Sequence, residues 1–407
     1  MQRIDSERSA AVNPSGLASA PVLRLSSSTR VAELDGFRAI AVSMVFILHI
    51  CFASKLPADA LSWMPGLLFQ FISHGWLGVD LFFVLSGLLI TGILLDSKES
   101  PGFFQSFYAR RALRILPLYF ACIAVMALCY RGAGDYFSLA SLFLANFSSA
   151  FGVRQPHGPG VFWSLAVEEH FYLLWPILVF VCGRRMLLAI SIAVIIASPV
   201  LRGMGAVLGM EPETQIYQYS FFRCDGLALG AVIAIAFRAR GFSKTAAWKL
   251  AASMLAVDIL ITALGWRYGV MGRQTTAALA LRYSQAQLLF GALIVLALTY
   301  RGARATWPLR CRAAGFIAEL SFCIYLVHLA LIDLYVAVLP RLGMSDLQAL
   351  GPVGCIVLRA CVVGMATLAV AMLSRRYLEL PMLSLKTRFA YRSARPAPLG
   401  ETIPAVR

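Results

Sequence analysis

The sequence predicts an all-α fold: a polytopic integral membrane helical bundle of about ten transmembrane helices. Three observations carry that reading. Hydrophobic residues make up 59% of the 407-residue chain and charged residues only 14%, against about 25% charge in an ordinary soluble domain. The mean hydropathy is +0.75. Apolar runs of about twenty residues, each long enough to cross a bilayer core of about 30 Å, recur along the chain.

The runs fall at 37–54, 76–95, 114–130, 162–181, 186–208, 220–237, 247–265, 279–299, 314–338 and 350–373. With the N-terminus inside, the inner segments hold 26 of the 36 Lys and Arg residues. The positive-inside rule then predicts that both termini are cytosolic. Residues 1–33 are expected to form a disordered cytosolic tail, 34–385 the transmembrane domain, and 386–407 a basic cytosolic tail. The first 30 residues hold arginines but no continuous apolar core, so no cleaved signal peptide is expected. The connection from Arg131 to Gly160 contains YFSLASLFLANF, too short for a span and suited to an interfacial or re-entrant segment.

A formal charge of +16 raises the question of nucleic acid. The cations, however, sit in short clusters between apolar runs rather than on one soluble face with interleaved aromatics, so no nucleic acid is expected. Nine cysteines occur without a CxxC pair, and most lie in or beside apolar runs as small hydrophobes. The five histidines form no metal-ligand spacing, so no metal is expected.

Chemistry therefore has to come from polar groups inside the bundle. In ELDGFRAIAVSMVFILHI, Arg38 and His49 stand eleven positions apart in an otherwise apolar run. Eleven residues make about three helical turns, so both share one face, with His49 about 16 Å further along the axis. Intramembrane charge-capable groups are functional candidates. His49 suits a general base, because imidazole takes a proton near neutral pH; the alternative is a histidine that only hydrogen-bonds a neighbouring helix. A carboxylate near it would orient the ring, and Asp35, Asp80, Glu168 and Glu169 are the candidates. Adjacent Glu168 and Glu169 point about 100° apart, so at least one should face the bundle interior.

In FYARRALRILPLY, Arg111 and Arg114 lie at i and i+3 on one helical face. Such a pair can anchor a helix end or clamp phosphate bidentately. Arg223 and Asp225 in FFRCDGLALG are expected to pair with each other, and Ser86 in FFVLSGLLI reads as a packing residue.

Taken in order, LDGFRAIAVSMVFILH, FFVLSGLLITGIL, FYARRALRILPLY, WSLAVEEHFYLLWP, FRCDGLALG, SFCIYLVH and YLELP resemble the acyltransferase family 3 of membrane O-acyltransferases, from Asp35 to Pro381. The resemblance implies an enzyme of a bacterial inner membrane. Such an enzyme moves an acyl group, acetyl by default, from cytosolic acyl-CoA to a hydroxyl of an extracytoplasmic or lipid-linked glycan. It further implies that His49 is the catalytic base or acyl carrier, that Arg38, Arg111 and Arg114 hold the donor phosphates, and that Glu168 lies near the acceptor side or beside His49. Asp35 is kept as a catalytic candidate. No cofactor is expected to be bound, acyl-CoA being a substrate. His170 and Leu88 depart from residues common in the family. Many relatives carry an extracytoplasmic esterase-like domain. This chain ends shortly after its last span, so it is expected to act alone or with a separate transferase. A secondary transporter of a glycan lipid or anion is the rival reading.

Overall fold

The computed structural model describes residues 30–52, 65–270, 275–342 and 351–391. Among them ten helices are long and apolar enough to cross a membrane, and no strand occurs. They are α1 (Ala32–Phe52), α2 (Leu77–Ser97), α3 (Phe103–Cys129), α4 (Phe162–Val181) and α5 (Arg184–Val207). The set continues with α6 (Ser220–Ala236), α7 (Lys244–Arg267), α8 (Thr276–Thr299), α9 (Arg312–Val338) and α10 (Gly351–Ser374). Each expected apolar window overlaps one of these helices. The third window starts at Arg114, but α3 begins eleven residues earlier, because Arg110, Arg111 and Arg114 break the apolar pattern without breaking the helix. Of the expected N-terminal tail, residues 1–29 lie outside the described residues, whereas Val31 is already buried.

The bundle is centred on α2 and α6, the two spans with the largest buried share. They approach closely because each presents glycine at the crossing. A Cβ on Gly87 would come within 1.9 Å of the Leu227 carbonyl oxygen, and one on Gly230 within 2.2 Å of the Val84 carbonyl oxygen. Without water in the membrane, such backbone contact is a main source of helix association. By contrast α7 buries little, in keeping with a peripheral helix facing lipid.

Alternating direction puts the start of α1, the Arg-rich start of α3 and the end of α10 on one face, called here the basic face. The opposite, loop face carries the connection before α4. There YFSLASLFLANF forms a short helix, Gly134–Ser141, and a 3₁₀ turn, Ala145–Phe151, instead of a span. It is tied down by Tyr119, whose hydroxyl donates to the Ala140 carbonyl at 2.7 Å, and by Tyr136, which donates to the Pro159 carbonyl at 3.0 Å.

Polar groups in α2, α5, α6 and α8 pair with one another inside the bundle. Arg223 pairs with Asp80 at 3.0 Å, not with Asp225, and Asp225 pairs with Arg202 at 2.9 Å. The expected Arg223–Asp225 pair fails because residues two apart on a helix face away from each other. Gln287 links the two carboxylates, donating to Asp80 at 2.9 Å and to Asp225 at 3.1 Å.

Candidate active site

Three cavities lie in a row through the bundle. The first opens on the basic face, has a volume of about 410 Å³, and is lined by Asp35, Arg38, Arg110, Arg111 and Arg114 among others. A narrow throat of about 100 Å³ follows, walled by Phe82, Phe83, Ser86, Glu168, Tyr172 and Tyr325. The third, about 720 Å³, lies at the loop face and is lined by His49, Trp76, Trp163, His157 and Tyr217 with parts of two loops. Arg38, Arg111 and Arg114 belong to both of the first two cavities. Val79 and Tyr325 belong to both the throat and the loop-side chamber.

Helix α1 explains how Arg38 and His49 reach different chambers. It is continuous from Ala32 to Phe52, so the three-turn offset between them becomes a separation along the row. Asp35 sits at the start of this helix in the basic chamber. It is paired with Arg30 and lies 3.9 Å from Arg38. Fourteen positions of helix separate it from His49, about 21 Å of rise, so Asp35 does not orient that ring. Asp80 does not either, since Arg223 and Gln287 hold it.

The partner of His49 is another histidine. His328 Nε2 lies 3.0 Å from His49 Nδ1, and His328 Nδ1 is 2.8 Å from the Tyr325 carbonyl oxygen and 3.1 Å from that of Ile324. Two carbonyl acceptors fix the proton of His328 on Nδ1. Its Nε2 is then an acceptor, His49 Nδ1–H donates to it, and Nε2 of His49 is left with the lone pair. His328 has no exposed surface. The sequence marks His328 only as the last residue of SFCIYLVH. Its lone position in LSFCIYLVH carried no signal of a partner 279 residues away.

Glu168 lies in the throat and not in the chamber that His49 lines. Its Oε1 accepts from Ser86 at 2.8 Å and its Oε2 from Tyr172 at 3.0 Å, and the Tyr172 hydroxyl also lies 3.2 Å from Ser86 Oγ. The Arg111 guanidinium stands over the Tyr172 ring at 5.4 Å. Ser86, read as a packing residue, is thus part of this cluster. The i, i+4 spacing of Glu168 and Tyr172 was a usable signal for their contact. At the narrow end of the loop-side chamber, Tyr325 and Ser164 share a hydrogen bond of 2.6 Å.

A second imidazole faces the loop-side chamber. His157 Nδ1 lies 2.7 Å from Asp333 Oδ1, while the Tyr130 hydroxyl donates to Asp333 Oδ2 at 2.7 Å. The hydrogen-bonded carboxylate raises the pKa of His157 above its ordinary value. The loops 131–160 and 209–219 both contribute to this chamber, through Arg154 to His157 and through Glu213, Thr214 and Tyr217.

A bundle of ten membrane-spanning helices with polar side chains along an internal row defines a multi-pass membrane protein. Residues 31–375 match the acyltransferase 3 family, described as an acyltransferase domain, and the chain belongs to that family. It is similar to the peptidoglycan O-acetyltransferase OatA of Listeria monocytogenes, at 33% identity over 230 residues, 50% of this chain and 33% of that protein. A putative peptidoglycan O-acetyltransferase of Bacillus subtilis, YrhL, is 29% identical over 240 residues, 53% of this chain and 34% of that one. The match thus covers about a third of the length of each of these relatives. No solved structure matches the chain.

Proposed function

We propose that this protein is a membrane O-acyltransferase that moves an acyl group from acyl-CoA at the basic face to a hydroxyl of a glycan at the loop face. Acetyl is the acyl group expected from the names of its relatives. The observation that carries the reading is the unbroken sharing of wall residues from the arginine-lined chamber, through the throat, to the chamber of His49. A phosphorylated thioester fits that order: cations for its phosphates, a narrow passage for its arm, and a base where the acyl group emerges.

In this reading Arg38, Arg111 and Arg114 hold the donor phosphates. Asp35 acts on Arg38, 3.9 Å away, as a positioning residue. Glu168 orders the hydroxyls of Ser86 and Tyr172 along the throat. His49 Nε2 takes the proton of the acceptor hydroxyl as its oxygen attacks the thioester carbonyl. The carbon–oxygen bond forms, the carbon–sulfur bond breaks, and the proton passes to the departing thiolate. His328 holds the ring in the tautomer that makes this possible. The relatives' names favour a peptidoglycan or other cell-envelope glycan as acceptor. The concentration of cations at the basic face favours a cytosolic location for that face, in a bacterial inner membrane.

The test is to supply labelled acetyl-CoA to inverted membrane vesicles holding the wild type or His49→Ala. Label in lumenal glycan with the wild type alone is expected. Equal labelling by both would end the mechanism, and consumption of no acyl-CoA by either would favour transport.

A further inference from the structure

The basic chamber is lined by seven cations but only three carboxylates. Two of those carboxylates are already engaged. Asp35 pairs with Arg30, and Glu319 bridges Arg30 at 2.6 Å and Arg375 at 2.8 Å. The third, Glu379, lies 3.3 Å from the Ser374 hydroxyl. Among the described residues, Arg110, Arg111, Arg114 and Lys386 have no carboxylate within the 4.0 Å of an ion pair. Four like charges gathered at a membrane-embedded chamber repel one another and are costly to desolvate. Such a set calls for a polyanion.

The four are not equivalent in place. Arg111 and Arg114 also line the throat, whereas Arg110 and Lys386 line only the wider part of the chamber. Lys386 comes from the 3₁₀ turn Leu385–Phe389, which follows the last long helix. The next described residues bring Tyr391 into the same wall, its ring 5.5 Å from the Arg110 guanidinium. The boundary expected at 385/386 therefore runs through the chamber wall, and the segment 386–391 belongs to the site rather than to a tail. Phe107 and Leu383 supply apolar surface beside it.

We propose that Arg110, Lys386 and Tyr391 form a nucleotide subsite, in which Arg110 and Lys386 hold the 3′-phosphate of a coenzyme A thioester and Tyr391 lies against its adenine. Arg111 and Arg114, nearer the throat, then take the diphosphate, and the pantetheine arm enters the throat. The nucleotide end of such a donor carries about four negative charges near neutral pH, nearly two of them on the 3′-monoester, which matches the four unpaired cations. The C-terminal segment thereby makes the site selective for a full coenzyme A thioester over a shorter pantetheine thioester. This inference rests on the reading that the donor is an acyl-CoA.

The test is a calorimetric titration of the full-length protein in lipid nanodiscs with coenzyme A and with 3′-dephospho-coenzyme A. Loss of a charge-assisted hydrogen bond costs about 1.5–3 kcal/mol, so the wild type should bind the full coenzyme at least about tenfold more tightly. Lys386→Ala and the milder Lys386→Gln should both remove most of that preference. Equal affinity of the wild type for the two ligands, or a preference kept by both variants, overturns the subsite. Binding of neither ligand by the folded wild type sinks the acyl-CoA reading itself, an outcome distinct from the other two.

Discussion

His328 Nε2 stands 3.0 Å from Nδ1 of His49, and the carbonyl oxygens of Ile324 and Tyr325 hold the other nitrogen of His328. A neutral imidazole here occupies the place that a carboxylate takes in many acid–base pairs. It fixes the tautomer of His49 without adding a charge to the membrane interior, where an unpaired carboxylate is costly.

Removing the base should cost more than removing its support. His49→Ala should lower acyl transfer by about 10²–10⁴-fold, the usual worth of a positioned acid–base group. His328→Ala should lower it by a smaller factor, because His49 keeps its basic lone pair but loses the contact that places it on Nε2. His328→Gln, whose amide can accept from Nδ1–H, should recover part of the loss. The measurement is initial rate with labelled acetyl-CoA at matched protein in membranes, and wild-type rates from His328→Ala would refute the pairing.

The sequence made the bundle legible because twenty-residue apolar runs are a length signal that survives without any knowledge of packing. It also put Arg38 and His49 on one helix, and a continuous helix converts spacing directly into distance. What it hid were contacts between distant segments. Nothing in LSFCIYLVH marks His328 as a partner, and Ser86 looked like any small residue at a crossing until Glu168 and Tyr172 came within hydrogen-bond reach. Arg223 illustrates the hazard of nearness in sequence: Asp225 is two positions away and on another side of the helix, whereas Asp80 is 143 positions away and bonded to it.

The Glu168 cluster gives a second prediction. Glu168 accepts from both Ser86 and Tyr172, so Glu168→Ala leaves the Ser86 hydroxyl without its acceptor, and the Tyr172 hydroxyl with Ser86 alone, in a confined space. Its loss should reduce kcat/KM by about 10–100-fold, the worth of one charge-assisted hydrogen bond. Tyr172→Phe removes one donor and should cost less. Steady-state kinetics on acetyl-CoA checks both, and a Tyr172→Phe effect larger than that of Glu168→Ala would show that the tyrosine acts independently.

Arg223 and Asp80 have no exposed side-chain surface, and the guanidinium stacks over Tyr283 at 4.0 Å and Tyr217 at 4.9 Å. Asp80→Asn would leave a buried cation without its counter-charge, and breaking such a pair costs about 3–5 kcal/mol. The variant should therefore melt well below the wild type in detergent, while the double variant Asp80→Asn with Arg223→Gln should recover part of the loss. Thermal unfolding followed by tryptophan fluorescence reads this directly. Because Tyr217 also walls the loop-side chamber, the single variant should further weaken acceptor use.

The His157–Asp333 pair makes a pH-dependent link between the connection before α4 and the end of α9. With its folded pKa raised above the ordinary value of about 6.5 by the hydrogen-bonded carboxylate, protonated His157 favours the folded state. That contribution is fully present below the unfolded pKa and fades as pH rises through the folded one. The loop face should accordingly become more open to proteolysis and hydrogen exchange above neutral pH than at pH 6. Asp333→Asn should lower the His157 midpoint toward or below 6.5 and remove the pH dependence of exchange in residues 153–160. Tyr130→Phe, which deletes the other donor to Asp333, should leave that carboxylate more available to His157 and keep the midpoint raised. Nuclear magnetic resonance titration of ring-labelled histidine resolves the three cases. A wild-type midpoint at or below 6.5 would show that the carboxylate does not govern this imidazole.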